Sequence, residues 1–363
     1  MKAGMSVEQL AAELTRQRAS KIDYLVGTQQ LEFRASDDGD VRLHGLPDGD
    51  LSVRNIAHGQ FSGVLGVPKR YYDRMRTQAP DLLAINLNRW MADEPSKRMV
   101  RTIDGEVRAV LSDRFRPLDN ADLAEAVLPA LRDCNATVES ANITEARMYL
   151  KIVRHDLRED LMPPGAEWGT GHASVDVIEA GLVISNSEVG MGSLKVSPAL
   201  HTVRCTNLAV FKDDAVAKYH IGRALGGDSG EQVRRFITDA TRTLQDRAIF
   251  ATVRDTATAS LDGTAFRRYV ADLRATKSET LTGDVPETIE RIGNRLDLSQ
   301  PEQKGVLDYL IAGGDLSQYG VQDAITSMAG DADDYDRSCQ LEEAGAEVIT
   351  LSPSQWRALQ DER

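Results

Sequence analysis

Two adjacent residues, Asp104 and Gly105, constrain this chain more tightly than any others. Alternate positions on both sides of them form one face, Met99, Arg101 and Ile103 before and Val107, Ala109 and Leu111 after, apolar except for Arg101. A two-residue Asp-Gly link between alternating runs closes an antiparallel hairpin, because both linking residues take positive φ and so match the twist of the strands. The span 98–111 therefore reads as a β-hairpin. The following stretch, NADLAEAVLPALRD at 120–133, places Asn120 as the N-cap of a helix. Leu123, Ala124, Val127, Leu128 and Leu131 lie along one face of that helix, which packs behind the hairpin, and Pro129 kinks its last turn.

Further strands follow. The spans 137–143 and 147–154 alternate, with Met148, Leu150 and Ile152 on one face and Arg147, Tyr149, Lys151 and Val153 on the other. A strand over 177–185 turns at Gly190-Met191-Gly192 and returns from Leu194 onward. Upstream, Ser6 and Gln9 have capping-box spacing before a short amphipathic helix, and 30–46 reads as a hairpin turning at Gly39. The span 51–90 is helical in pattern, with a corner at Gly66-Val67-Pro68 and Pro68 at the first position of the next helix. This is the outline of a helix-turn-helix that offers Lys69, Arg70, Arg74 and Arg76 to phosphates or bases, although Tyr71, Tyr72 and Met75 read more simply as core. Helical periodicity dominates after Gly226, over 231–255, 263–277, 286–295 and 301–312.

The predicted class is α+β: an antiparallel, hairpin-rich central sheet with packed helices and a mostly helical C-terminal region. Three regions are expected, at 1–97, 98–225 and 226–363, with the last boundary in the Gly226–Gly230 run. Hydrophobic residues are 41% and charged residues 27% of the 363, which is globular material rather than a disordered chain. No apolar stretch is long enough to span a bilayer and the N-terminus is too polar for a signal peptide, so a cytoplasmic protein with no membrane partner is expected. Cys134, Cys205 and Cys339 are far apart and odd in number, which argues against disulfides and thiolate zinc. The net charge of −13 disfavours indiscriminate adsorption to nucleic acid but leaves room for a local basic groove.

Four segments together carry a resemblance: GVLGVPKRYYDRM with INLNRWM, EVRAVLSDRFRPLDNADLAEAVL, GLVISNSEVGMGSLKVSPALHTVRCTNLAV and GVQDAITSMAG. The third is the most specific, with Asn-Ser-Glu-x-Gly in its turn and Cys-Thr-Asn after two strands. The chain resembles the domain-of-unknown-function family 932, proteins of phages and plasmids, over most of its length. The resemblance implies a mobile-element gene in a bacterial cytoplasm. It supplies no catalytic residue.

Candidate sites follow from residue type. Arg147, Tyr149, Lys151, Lys195, Arg204 and Lys212 would line a groove for single-stranded nucleic acid if the central strands pair, joined by Lys218 and Arg223, with Phe211 and Tyr219 also available to stack on bases. A mixed-charge surface is the competing reading. Ser187, Gly190, Gly192 and Ser193 are phosphate-contact candidates, since Gly-rich turns let backbone N–H groups approach an anion; an ordinary hairpin turn is the plainer reading, because the segment lacks the P-loop Lys. His155, His172, His201 and His220 form no compact ligand pattern, Cys205 has only His201 near it in sequence, and the acidic run 331–336 lacks the Gly and Glu of a calcium loop. No catalytic residue, metal or cofactor is expected. The expectation is a nucleic-acid-binding accessory protein of phage or plasmid DNA metabolism, binding or annealing single-stranded DNA. The alternative is a non-enzymatic assembly protein, a homo-oligomer or a binder of a phage or host protein.

Overall fold

The computed structural model describes residues 1–36, 39–93, 95–162, 176–212, 216–218 and 239–360. Its first helix, α1 (Val7–Ser20), begins at the expected capping box: the Ser6 hydroxyl accepts the Gln9 N–H, and the Gln9 side-chain oxygen accepts the Ser6 N–H. Then come β1 (Ile22–Gly27), β2 (Glu32–Ala35), β3 (Val41–Leu46) and β4 (Gly49–Val53). Three helices follow, α2 (Asn55–Val64), α3 (Lys69–Gln78) and α4 (Pro80–Asp93), and then β5 (Lys97–Ile103) and β6 (Glu106–Ser112). Asp104 and Gly105 join the last two strands with φ of 54° and 74°, the pair of positive values that the Asp-Gly link predicts.

These strands form one sheet in the order β1-β5-β6-β4-β3-β2, antiparallel except where β4 runs parallel to β6. Its inner face meets α2, α3 and α4 through Phe33, Leu43, Phe61, Tyr72, Leu87 and Val100, with the Phe33 and Phe61 rings edge to face at 4.8 Å. This pairing runs across the boundary expected at 97/98. Both strands of the 98–111 hairpin are hydrogen-bonded into the sheet of the first region, β5 to β1 and β6 to β4. Alternation identifies a strand but not its neighbours, so the hairpin's sequence did not reveal which sheet it completes.

The second sheet begins behind α5 (Asn120–Asp133) and holds β7 (Thr137–Ile143), β8 (Met148–Asp160), β9 (Val177–Asn186), β10 (Leu194–Thr202), β11 (Asn207–Val210) and β12 (Val216–Lys218). Its order is β11-β10-β9-β8-β7, with β12 also on β10. Asn120 is not the cap of α5 but its first residue. The α5 N-terminus is instead served by a side chain from far along the chain, Glu188, whose Oε1 accepts the Asn120 N–H at 2.7 Å.

The C-terminal part is helical: α6 (Asp239–Ser260), α7 (Gly263–Thr276), α8 (Val285–Arg295), α9 (Gln300–Gly313), α10 (Gln318–Asp331), α11 (Tyr335–Thr350) and α12 (Pro353–Gln360). The protein is thus an α+β fold with two antiparallel-rich sheets and a helical C-terminal region. Helices cover both faces of the second sheet. Met148, Leu150, Ile152, Leu182 and Ile184 pack against α1, α5 and α6, while Tyr149, Val183 and Leu208 on the reverse face lie against Tyr335 and Cys339 of α11. The helices α8–α12 add a core of their own around Ile292, Ile325, Val348 and Trp356. No described helix is long and apolar enough to cross a membrane. The expected boundary at 226–230 lies outside the described residues.

Candidate nucleic-acid interface

The six residues expected to line a central groove do not form one. Lys151 is 0% exposed, and its ammonium donates to Glu342 at 2.7 Å and stands 4.5 Å over the Tyr335 ring. Tyr149 is buried beside it and donates its hydroxyl to Asp336 at 2.8 Å. Lys212 pairs with Glu343 at 3.3 Å and Arg204 with Asp176 at 3.0 Å. Arg147 donates to the Met191 carbonyl at 2.5 Å, and Lys195 is half-buried on β10 opposite Ser185. Phe211, offered as a stacking residue, is buried and stacked on Tyr269 at 4.3 Å. Lys218 is described in its backbone alone, while Tyr219 and Arg223 lie outside the described residues. The polar face of β8 is closed because α11, nearly two hundred residues downstream, brings two carboxylates to it, Asp336 and Glu342. Alternation separates the two faces of a strand without saying which of them meets water.

The turn at 187–193 is a joint between the sheets rather than an open phosphate cradle. Ser187 is fully buried; its hydroxyl donates to the Ala146 carbonyl at 2.8 Å and accepts the Met191 N–H at 2.9 Å. Gly190 and Gly192 have φ of 75° and 147°, and a Cβ on Gly192 would stand 1.7 Å from the Arg147 guanidinium. Ser193 is buried as well. Between them sits Glu188, which the sequence reading passed over. Its carboxylate takes bonds from Arg108 and the Asn120 N–H and lies 3.2 Å from Lys21, while Arg101 donates to its backbone carbonyl at 2.7 Å. Burial opposes its charge, but Arg108, Lys21 and Arg101 outweigh that and hold the pKa down at about 2.

Other chemistry-bearing residues are accounted for within the protein. Cys205 donates to Asp323, and burial raises its pKa to about 12, so it stays a thiol. His155 and His201 both bond the same oxygen of Glu179, at 2.9 and 3.0 Å. Among the described residues no group of His, Cys, Asp and Glu is arranged to hold a metal; His172 and His220 lie outside them. Within the acidic run, Asp334 caps α11.

The helical corner is different. Gly66, at φ of 66°, turns the chain out of α2, and Pro68 caps α3 from the position before its first residue rather than occupying it. On α4, Leu83, Leu87 and Met91 point inward at four-residue spacing, which leaves Leu82, Asn86 and Trp90 as the outward stripe. On α3, Tyr72 and Met75 are buried, while Tyr71 points out beside Arg70 and Arg74. The outward side chains meet across a groove of about 510 Å³ lined by Leu65, Val67, Pro68, Tyr71, Asn86 and Trp90. Tyr71 is 50% exposed and Trp90 43%.

Positive charge flanks this groove. Within α3 only Asp73 opposes Lys69, Arg70, Arg74 and Arg76. Lys69 pairs with Asp73, and Arg76 forks onto Asp40 at 2.9 and 2.5 Å, pinning α3 to the β2–β3 hairpin. Arg74 bonds the neutral Gln78, and among the described residues neither it nor Arg70 has a carboxylate partner. Beneath the corner, the His58 Nδ1 and the Tyr72 hydroxyl are 2.7 Å apart; burial, with the Arg76 charge nearby, pushes the His58 pKa down to about 4. The sequence reading had singled out the basic residues of α3 but counted Tyr71 as core and passed over Trp90. The four-residue stripe opposite Leu83, Leu87 and Met91 was the signal that Trp90 faces outward.

Comparison with known proteins adds no relative to this geometry: no family model, no curated protein and no solved structure matches the chain.

Proposed function

We propose that the protein binds single-stranded nucleic acid in the corner groove between α3 and α4. Unpaired bases stack on Tyr71 and Trp90, and the sugar-phosphate backbone runs past Arg70 and Arg74. The observation that carries this reading is the pairing of two half-exposed aromatic rings in one groove with two arginines that meet no carboxylate among the described residues, in a chain of net charge −13. A basic pair without a carboxylate partner among the described residues gives a local attraction for phosphate in a chain that is acidic overall. Aromatic faces of this kind take unstacked bases, which a duplex does not offer without being opened. In this reading the protein is an accessory factor of phage or plasmid DNA metabolism in a bacterial cytoplasm, and it needs no cofactor.

Fluorescence anisotropy with labelled single- and double-stranded oligonucleotides over a salt series tests it. Two phosphate contacts to a single strand give a slope of about −1.4 in log K against log salt. Absence of binding at low salt, or a preference for the duplex, would sink the proposal.

A second reading draws on the same helix. Leu82 and Ile85, one turn apart, are exposed on α4, Ile85 at 66%. An apolar stripe of that kind also suits self-assembly or docking of a phage or host protein. Light scattering on the wild type and on Ile85→Glu separates the two: a dimer dissolved by the substitution, with nucleic-acid binding unaffected, assigns the stripe to assembly.

A further inference from the structure

The edges of the two sheets are treated unequally. At the β2 edge of the first sheet, the Asn88 carboxamide of α4 accepts the Phe33 N–H at 2.7 Å and donates to the Phe33 carbonyl at 2.8 Å. At the β7 edge of the second, Met5 exchanges backbone hydrogen bonds with Ala141. The β1 edge of the first sheet has no such cover among the described residues. β1 pairs with β5 in unbroken register, from Ile22 opposite Thr102 to Gly27 opposite Lys97. Just beyond the strand the Thr28 N–H bonds the Ser96 carbonyl, and the Ile22 carbonyl accepts the Thr102 hydroxyl, so the even-numbered residues direct their backbone groups at β5. Those of Asp23, Leu25 and Gly27 therefore point outward, and the Gly27 N–H accordingly meets the Gln30 side chain, at 3.3 Å. Edge strands are commonly protected by proline, bulges or lysines; β1 carries none of these and exposes Leu25 at 62%.

We infer that β1 is an interface for a second copy of this chain, which adds its own β1 antiparallel across a twofold axis at Leu25. The outward-bonding residues lie symmetrically about Leu25. The axis therefore sets Leu25 against Leu25 of the second copy and Asp23 against its Gly27, each a hydrogen-bonding position. Side chains match in the same register. Leu25, Met99 and Leu111 stand opposite one another on one face across β1, β5 and β6, and the pairing continues this apolar row into the second copy. Asp23 comes to lie across Gly27 from Lys97 of the second copy, an exposed lysine with no carboxylate partner among the described residues of its own chain. Symmetry repeats that match on the other side of the axis. Moving the axis to Tyr24 would set Asp23 against Leu25 and lose both matches. The edge is only six residues long, so the dimer is expected to be weak, with a dissociation constant in the micromolar range. The inference uses no residue of the α3–α4 groove and does not depend on the nucleic-acid reading.

Sedimentation velocity of the full chain over a dilution series, without nucleic acid, tests it, with Leu25→Lys, Leu25→Pro and Ile85→Glu alongside. Leu25→Lys sets two like charges opposite each other at the axis, and Leu25→Pro removes an outward N–H that β5 does not use. The wild type is expected to pass from monomer to dimer as concentration rises, and peptides spanning 22–27 are expected to exchange their amide hydrogens more slowly in the dimer. Both Leu25 variants are expected to stay monomeric with unchanged circular dichroism, and Ile85→Glu to dimerise as the wild type does. If the proline unfolds the strand, Leu25→Lys alone decides. A wild type that stays monomeric well above the micromolar range, or a dimer that persists with Leu25→Lys or dissolves with Ile85→Glu, overturns the inference.

Discussion

The corner groove and the reverse face of the second sheet are built from the same kinds of residue, basic side chains next to aromatic ones, yet they present opposite surfaces. On the sheet, Lys151, Tyr149 and Lys212 are matched by Glu342, Asp336 and Glu343, all delivered by α11. At the corner, Arg70 and Arg74 meet no carboxylate among the described residues, and Tyr71 and Trp90 stay half exposed. The difference teaches that local potential is set by what the tertiary fold brings opposite a charge. A lysine under a helix with a facing glutamate is part of the core, while an arginine on a helix whose only acid is already paired is available to a ligand.

The comparison is broken most forcefully by attacking the buried pair. Lys151→Ala leaves Glu342 uncompensated at 0% exposure, and a loss of about 3–5 kcal/mol in urea unfolding is expected. Replacing both residues, with Lys151→Met and Glu342→Leu, should recover much of that loss. Oligonucleotide affinity per folded molecule is expected to stay unchanged; a stable Lys151→Ala protein that no longer binds DNA would put the interface on the sheet.

At the corner the expected effects reverse. Trp90→Ala and Tyr71→Ala should each weaken single-strand affinity by about 1–3 kcal/mol with little change in the unfolding midpoint, because both rings are half exposed. A next effect concerns the floor of the corner. His58 has its folded pKa depressed to about 4 against an unfolded value of 6.5, so as pH falls below 6.5 the unfolded chain takes up the proton first. Stability should therefore drop by roughly 2 kcal/mol between pH 7 and pH 5, and His58→Gln should remove most of that slope. His201, whose pKa burial lowers, adds to the same trend; at His155 burial opposes the charge, but Glu139 and Glu179 raise the pKa overall and oppose the trend. The smallest expected effect sharpens the charge argument: Arg70→Ala should flatten the salt dependence by about 0.7 in log–log slope, while Lys212→Ala leaves it unchanged.

How much of this was legible in the chain follows from the distance over which each feature is decided. The Ser6–Gln9 capping box, the Asp104-Gly105 hairpin and the starts of α8 and α9 depend on neighbours a few residues apart, and they stand within one residue of where the sequence places them. The cap of α5 depends on Glu188, 68 residues away, and the sequence offered the adjacent Asn120 instead. The fate of Lys151 depends on Glu342 at a separation of 191 residues, beyond any local pattern. The groove lies between these extremes. Its basic residues were visible on α3, but its second aromatic wall required α4 to pack with Leu83, Leu87 and Met91 inward, which turns Trp90 toward Tyr71.

The most direct test sets the two regions against each other in one titration: a labelled single-stranded oligonucleotide with the double variants Tyr71→Ala/Trp90→Ala and Arg204→Ala/Lys212→Ala, each checked for folding by circular dichroism. The account predicts that the first pair loses at least tenfold in affinity, since two stacking contacts of 1–3 kcal/mol each are removed, and that the second binds as the wild type does. Binding that survives loss of both corner rings but disappears with Arg204 and Lys212 would contradict it.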